Sequence, residues 1–123
     1  MVYLTKDQYA QKQGYDDFTA FLAANTDYVT EDALDDMIEE MTELMNDEIG
    51  TNGTDVTTAK YLTMLRNICY RGVQMMVDEE LSRAHQERRA ITMPADYMYT
   101  RDRQRLRSIG MKSGLRKRGA WVF

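Results

Sequence analysis

Apolar residues recur along this chain at the spacing of an α-helix and never alternate with polar ones over a strand-length run. From Thr30 onward, Ala33, Leu34, Met37, Ile38, Met41, Leu44, Met45 and Ile49 follow at three- and four-residue intervals. Thr30 reads as the N-cap. Glu31 and Asp32 fall in the first turn, where carboxylates favour the positive end of the helix dipole. Gly50 reads as the stop, followed by a turn at "GTNGT". At about 100° per residue, Asp32, Asp35, Asp36, Glu39, Glu43 and Asp47 gather on the other side. The pattern predicts a helix with one apolar face and one almost purely anionic face.

A second long helix is predicted from Thr54 or Asp55 to about Arg89. Its apolar arc between Tyr61 and Val77 covers about half the circumference, which implies contact with more than one neighbouring helix. Lys60, Arg66, Asn67, Arg71, Gln74 and Asp78 form its polar stripe, and "DEELSRAHQERRA" turns strongly polar beyond it. Residues 5–12 and 15–24 read as two short helical pieces broken at Gly14. "ITMPADYMYT" reads as a connector. "RDRQRLRSIG" reads as a short basic helix with Leu106 and Ile109 on one side, stopped by Gly110. The last stretch, "MKSGLRKRGAWVF", carries too much glycine to form a helix alone. The expectation is an all-α protein: a small bundle with two long helices, short N-terminal helices and an extended C-terminal arm. The division falls at 1–109 for the bundle and 110–123 for the arm.

The chain has 123 residues, which suits one domain. A domain of that length buries roughly two thirds of its unfolded surface, so no disulfide or metal staple is required. The single cysteine, Cys69, excludes an intramolecular disulfide and lies in a helical apolar run, where a buried thiol is expected. No run of about 18 apolar residues occurs, so no membrane span is expected. "MVYLTKDQYA" lacks the basic-then-apolar layout of a secretory signal.

Charge changes the picture through its distribution. Residues 1–50 carry 13 acidic and 2 basic side chains, and residues 51–100 carry 6 of each. Residues 101–123 carry 1 acidic and 8 basic ones, and the whole chain has a net charge of −4. A basic C-terminal segment on an acidic protein points to a partner of its own: nucleic acid, or an acidic surface such as that of a neighbouring copy.

Catalytic patterns are missing from the sequence. It has no glycine-rich phosphate loop, no HExxH, no cysteine-pair zinc spacing and no serine nucleophile elbow, so neither enzymatic activity nor a cofactor is expected. "DDFTAFLAANTDYVTEDALDD" lacks the central glycine and ligand spacing of an EF-hand. The pairs Asp35–Asp36 and Glu39–Glu40 read as a solvated face more readily than as a cation site. His85, the only histidine, reads as a surface residue. Ten methionines fall mostly on the apolar faces of the long helices. They fill a core, offer a soft surface to a partner, or do both where subunits share those faces.

The tail end is the most distinctive feature. Arg116, Lys117 and Arg118 are followed at once by Trp121, Val122 and Phe123. The two aromatic side chains can each bury roughly 150–250 Å². Together that is worth on the order of 8–12 kcal/mol gross. Ordering about eight residues costs about 1–2 kcal/mol each, so the terms nearly cancel. A preformed groove, charge pairing or many tails bound at once would tip the balance toward docking.

The layout resembles the head-to-tail adaptor (head-completion or connector) proteins of tailed bacteriophages and related archaeal viruses. "YLTKDQYAQKQG" is similar to their common start, and "EDALDDMIEEMTELMNDEIG" to their first long helix with its Ile-Gly stop. Residues 3–90 carry the resemblance, while the tail matches in type rather than in letters. The resemblance implies a structural virion protein made in the host cytoplasm. It would form a ring, usually of twelve copies, beneath the portal, and would join capsid to tail and continue the DNA channel. Its partners would be the portal protein, a tail or neck protein below the ring, and copies of itself, with DNA passing through without specific binding. The C-terminal arm would dock on the portal through Arg116, Lys117, Arg118, Trp121, Val122 and Phe123. The face of Asp32, Asp36, Glu39 and Glu43 would line the channel or meet a neighbouring subunit. The competing expectation is a small nucleic-acid-binding helical protein, a packaging accessory or regulator, that grips phosphates through its basic tail.

Overall fold

Five helices and no strand occur in the computed structural model, which describes residues 2–25, 28–51, 55–84 and 97–112. They are α1 (Lys6–Lys12), α2 (Phe18–Ala24), α3 (Glu31–Ile49), α4 (Ala59–Ala84) and α5 (Thr100–Lys112). The protein is all-α, as the periodicity predicts.

Each N-terminal helix begins where a short polar side chain takes up an orphan backbone donor. Thr5 forms a capping box with Gln8, Asp17 accepts from the Ala20 amide at 2.8 Å, and Thr30 accepts from the Ala33 amide at 3.2 Å. Gly50 closes α3 in the left-handed region at φ 93°, where a side chain would be strained, and its amide donates to the Asn46 carbonyl at 2.8 Å.

Helix α3 is the centre of the bundle, with α4 and α5 both packed on it and α1 paired with α2. It buries Leu34, Ile38, Met41, Met45 and Ile49. They meet Leu65, Ile68, Cys69, Val73 and Val77 of α4, Leu106 and Ile109 of α5, and Leu4, Tyr9 and Phe21 from the N-terminal segment in one core. Gly72 allows the closest approach: a Cβ there would lie 2.2 Å from Met41 Sδ. Met41, Met45, Met76 and Met98 fill core volume, whereas Met111 is 46% exposed.

Three boundaries differ from the sequence reading. Helix α2 begins at Phe18, after the Asp17 cap, rather than at Tyr15. Helix α4 begins at Ala59 rather than near Asp55. Residues 55–58 are otherwise engaged: the Val56 amide donates to Tyr3 Oη at 2.8 Å, and Asp55 Oδ1 accepts from Asn46 Nδ2 at 2.7 Å. Val56, Thr57 and Thr58 are also β-branched and favour extended backbone. Gly110 does not stop α5, which continues to Lys112 and so takes in the first three residues assigned to the arm. Gly110 is buried, so packing outweighs the roughly 1 kcal/mol that glycine costs inside a helix. His85, the rest of the polar extension to Arg89 and the last eleven residues lie outside the described residues.

Candidate functional site

The expected anionic face lies along the outer side of α3. Asp32, Asp36, Glu39 and Glu43 are all exposed. Their spacing of 4, 3 and 4 residues keeps them within one stripe about 16 Å long. Exposed Glu40 and Asp47 broaden it. Glu39, Glu43 and Asp47 also line an open cleft of about 500 Å³ beside the N-terminal segment, completed by Val2, Thr42, Asn46 and Asp55.

The carboxylates at the flanks of α3 behave differently. Lys6 pairs with Glu31 and lies 3.3 Å from Asp35. The Glu31 carboxylate, with help from Asp35, raises the Lys6 ammonium above its usual range. On the other flank Glu48 accepts from Arg107 Nε. Asp35, which the helical wheel places on the anionic face, is therefore half-buried and paired. Among the described residues, no ion pair reaches Asp32, Asp36, Glu39 or Glu43. The stripe keeps its negative potential because its cations are spent at the edges.

Behind the stripe, polar groups fix its position. Tyr3 donates through Oη to Asn46 Oδ1 and accepts from the Val56 amide, while its own amide donates to Thr42 Oγ1 at 3.3 Å. Burial raises the Tyr3 phenol above its ordinary range. Asn46 thus ties the N-terminal segment, α3 and the start of α4 together. Cys69, fully buried beneath, has its thiol pushed up to about 12 by burial, so it is inert at neutral pH.

A second cluster lies on α4. Gln74 Nε2 donates to Asp78 Oδ1 at 3.0 Å, which turns Gln74 Oε1 toward Tyr9 Oη at 3.1 Å and Gln13 Nε2 at 2.7 Å. Gln13 also donates to Tyr70 Oη at 2.7 Å, and Tyr9 shares a hydrogen bond with Tyr28. Burial is the main cause raising the phenols of Tyr9, Tyr28 and Tyr70. The third feature is a clamp: Arg71 donates to Asp102 through Nε at 2.9 Å and Nη2 at 2.7 Å, with the Asp102 side chain 2% exposed. Asp102 escaped the sequence reading, which saw a basic helix. The signal was its place four residues before Leu106, on the buried side of α5.

Helix α5 shows the opposite polarity on its outer side. Arg101, Arg105 and Lys112 are exposed and make no ion pair among the described residues. The two most exposed large hydrophobic side chains of the described residues are Tyr99 at 53%, just before α5, and Met111 at 46%, in its last turn. Among the described residues, no cluster of histidine, cysteine and carboxylate side chains could hold a metal ion. No helix there is long and apolar enough to cross a membrane. Arg116, Lys117, Arg118, Trp121, Val122 and Phe123 of the expected docking arm lie outside the described residues. Comparison of the chain with family models, with curated proteins and with solved structures finds no match.

Proposed function

We propose that this protein is a structural component of a viral head–tail junction, a ring-forming adaptor beneath a portal that continues the DNA channel into the tail. The observation that carries the reading is the uncompensated carboxylate stripe on α3, held on a helical body whose polar interior is used for positioning. Such a stripe suits a particle that conducts DNA without gripping it. It either faces the DNA, where carboxylates repel phosphates, or meets cations of the next copy. The likeness of residues 3–90 to phage adaptors supports the same reading. The arm then attaches the ring: Arg116, Lys117 and Arg118 steer it to an acidic rim, and Trp121, Val122 and Phe123 fill apolar pockets of the portal.

Attachment to portal-containing capsids tests this. Deleting residues 119–123 should abolish attachment while the bundle melts normally. Replacing Arg116, Lys117 and Arg118 together should weaken it less, and the loss should shrink as salt rises. One observation favours a second reading, a nucleic-acid-binding protein: Arg101, Arg105 and Lys112 are exposed and unpaired on α5. That reading predicts the reverse order, with the charges dominant and the apolar tip of little consequence. Normal attachment by the tip deletion, with DNA binding lost only in the charge variant, would establish it instead.

A further inference from the structure

The outer faces of α3 and α5 have opposite charge and matching spacing. Arg101, Arg105 and Lys112 lie at relative positions 0, 4 and 11 along α5. Asp32, Asp36 and Glu43 lie at 0, 4 and 11 along α3, with Glu39 at 7. Because the acidic set reads the same from either end, the basic set finds carboxylates opposite it whether the helices run parallel or antiparallel. Both stripes span about 16 Å. Within one chain they do not neutralise each other, although α3 and α5 are packed together: the contact between them uses Arg107 and Glu48 instead. Exposed Met111, next to Lys112 in the last turn of α5, adds apolar surface at that end.

We infer that the cationic face of α5 docks on the anionic face of α3 of a second copy of this chain. The two faces are different surfaces of one molecule, so the contact is heterologous. Every copy still presents one free donor face and one free acceptor face, and the contact propagates until a ring closes. The contact itself follows from the two faces; its closure into a ring rests on the function proposed above. It assigns the α3 stripe to the subunit interface rather than to the DNA passage.

Charge exchange tests the inference on the full chain. In the α3 variant, Asp36, Glu39 and Glu43 become Lys; in the α5 variant, Arg101, Arg105 and Lys112 become Glu. Sedimentation at low ionic strength should show the wild type self-associating and dissociating as salt is added. Each variant alone should raise the dissociation constant by about tenfold or more, since like charges then face each other. An equimolar mixture should re-assemble, because each variant supplies the face the other lacks. A chain carrying both exchanges should associate with itself again. Melting curves establish that the variants fold, and milder Asn and Gln replacements should give a smaller loss of the same kind. A wild type that stays monomeric at low salt, unchanged association of either variant, or failure of the mixture would overturn the inference. So would an α5 variant that loses duplex-DNA binding with its association intact. Portal attachment of the wild type, measured in parallel, reports on the adaptor reading separately, since a ring built through other contacts would still attach.

Discussion

Helix α3 sets Asp32, Asp36, Glu39 and Glu43 in water, whereas α4 turns Asn67, Arg71 and Gln74 against other parts of the protein. Lys12 of α1 donates to Asn67 Oδ1 at 2.6 Å, Gln74 serves the tyrosine cluster, and Arg71 grips buried Asp102 of α5. Both helices show a polar stripe opposite an apolar arc in sequence. The difference is in what surrounds them. The outer side of α3 has no neighbour among the described residues, so its carboxylates are hydrated and leave a field. The middle of the polar side of α4 meets α1 and α5, so Asn67, Arg71 and Gln74 each find a partner there. A polar stripe marks a surface only when the bundle leaves that side uncovered.

The contrast makes the stripe of α4 structural and that of α3 dispensable for folding, and it can be broken at either end. The largest effect is expected from Arg71→Met, which strands the Asp102 carboxylate. Losing one partner of a buried pair costs about 3–5 kcal/mol, and partial exposure of Arg71 places this case near the lower value. The double variant Arg71→Met/Asp102→Leu should regain most of the loss in urea unfolding. If the single variant melts like the wild type, the clamp is not structural.

Alkali should also attack the bundle, through its buried phenols and thiol. Burial raises the phenols of Tyr3, Tyr9, Tyr28 and Tyr70 above their ordinary value of 10.0, and the Cys69 thiol from 9.0 to about 12. In each case the unfolded chain releases its proton at a lower pH than the folded one, so stability is full below the unfolded values and falls as pH rises past them. The fall should begin near pH 9 with Cys69 and steepen beyond pH 10, where Tyr9 alone contributes about 1.4 kcal/mol per pH unit. Denaturant midpoints from pH 7 to 11 measure it, and Tyr9→Phe should soften the slope. A flat profile would contradict the buried network.

A smaller effect is expected where α4 meets α3. Gly72→Ala would press a methyl group onto buried Met41, at a cost of about 1–3 kcal/mol, offset by about 1 kcal/mol of better helix propensity. The net loss of about 1 kcal/mol should vanish with Met41→Ala in the background.

The smallest effect sharpens the comparison. Converting Asp32 and Asp36 to Asn, and Glu39 and Glu43 to Gln, should change stability by no more than about 1 kcal/mol in total. The lost dipole interaction at Asp32 is offset by relief of like-charge repulsion along the stripe. A melting temperature that drops as far as that of Arg71→Met would show that the two stripes are not different in kind.

Sequence alone determined the helical class, the register of α3 from the Thr30 cap to the Gly50 stop, and the exposure of its four carboxylates. These are local matters: a cap, a left-handed glycine and a 3.6-residue period act within a few turns. It also placed Cys69 in the core, because an unbroken apolar arc surrounds it. Only the tertiary structure decided that Asp102 is buried, that Asn67, Arg71 and Gln74 of α4 are engaged by other segments, that Val56 and Asp55 bond to Tyr3 and Asn46 instead of opening a helix, and that Gly110 lies within one. Each depends on which side of a helix a distant segment covers. The free energy that decides it comes from desolvation and from hydrogen bonds between residues tens of positions apart. No local pattern carries that information.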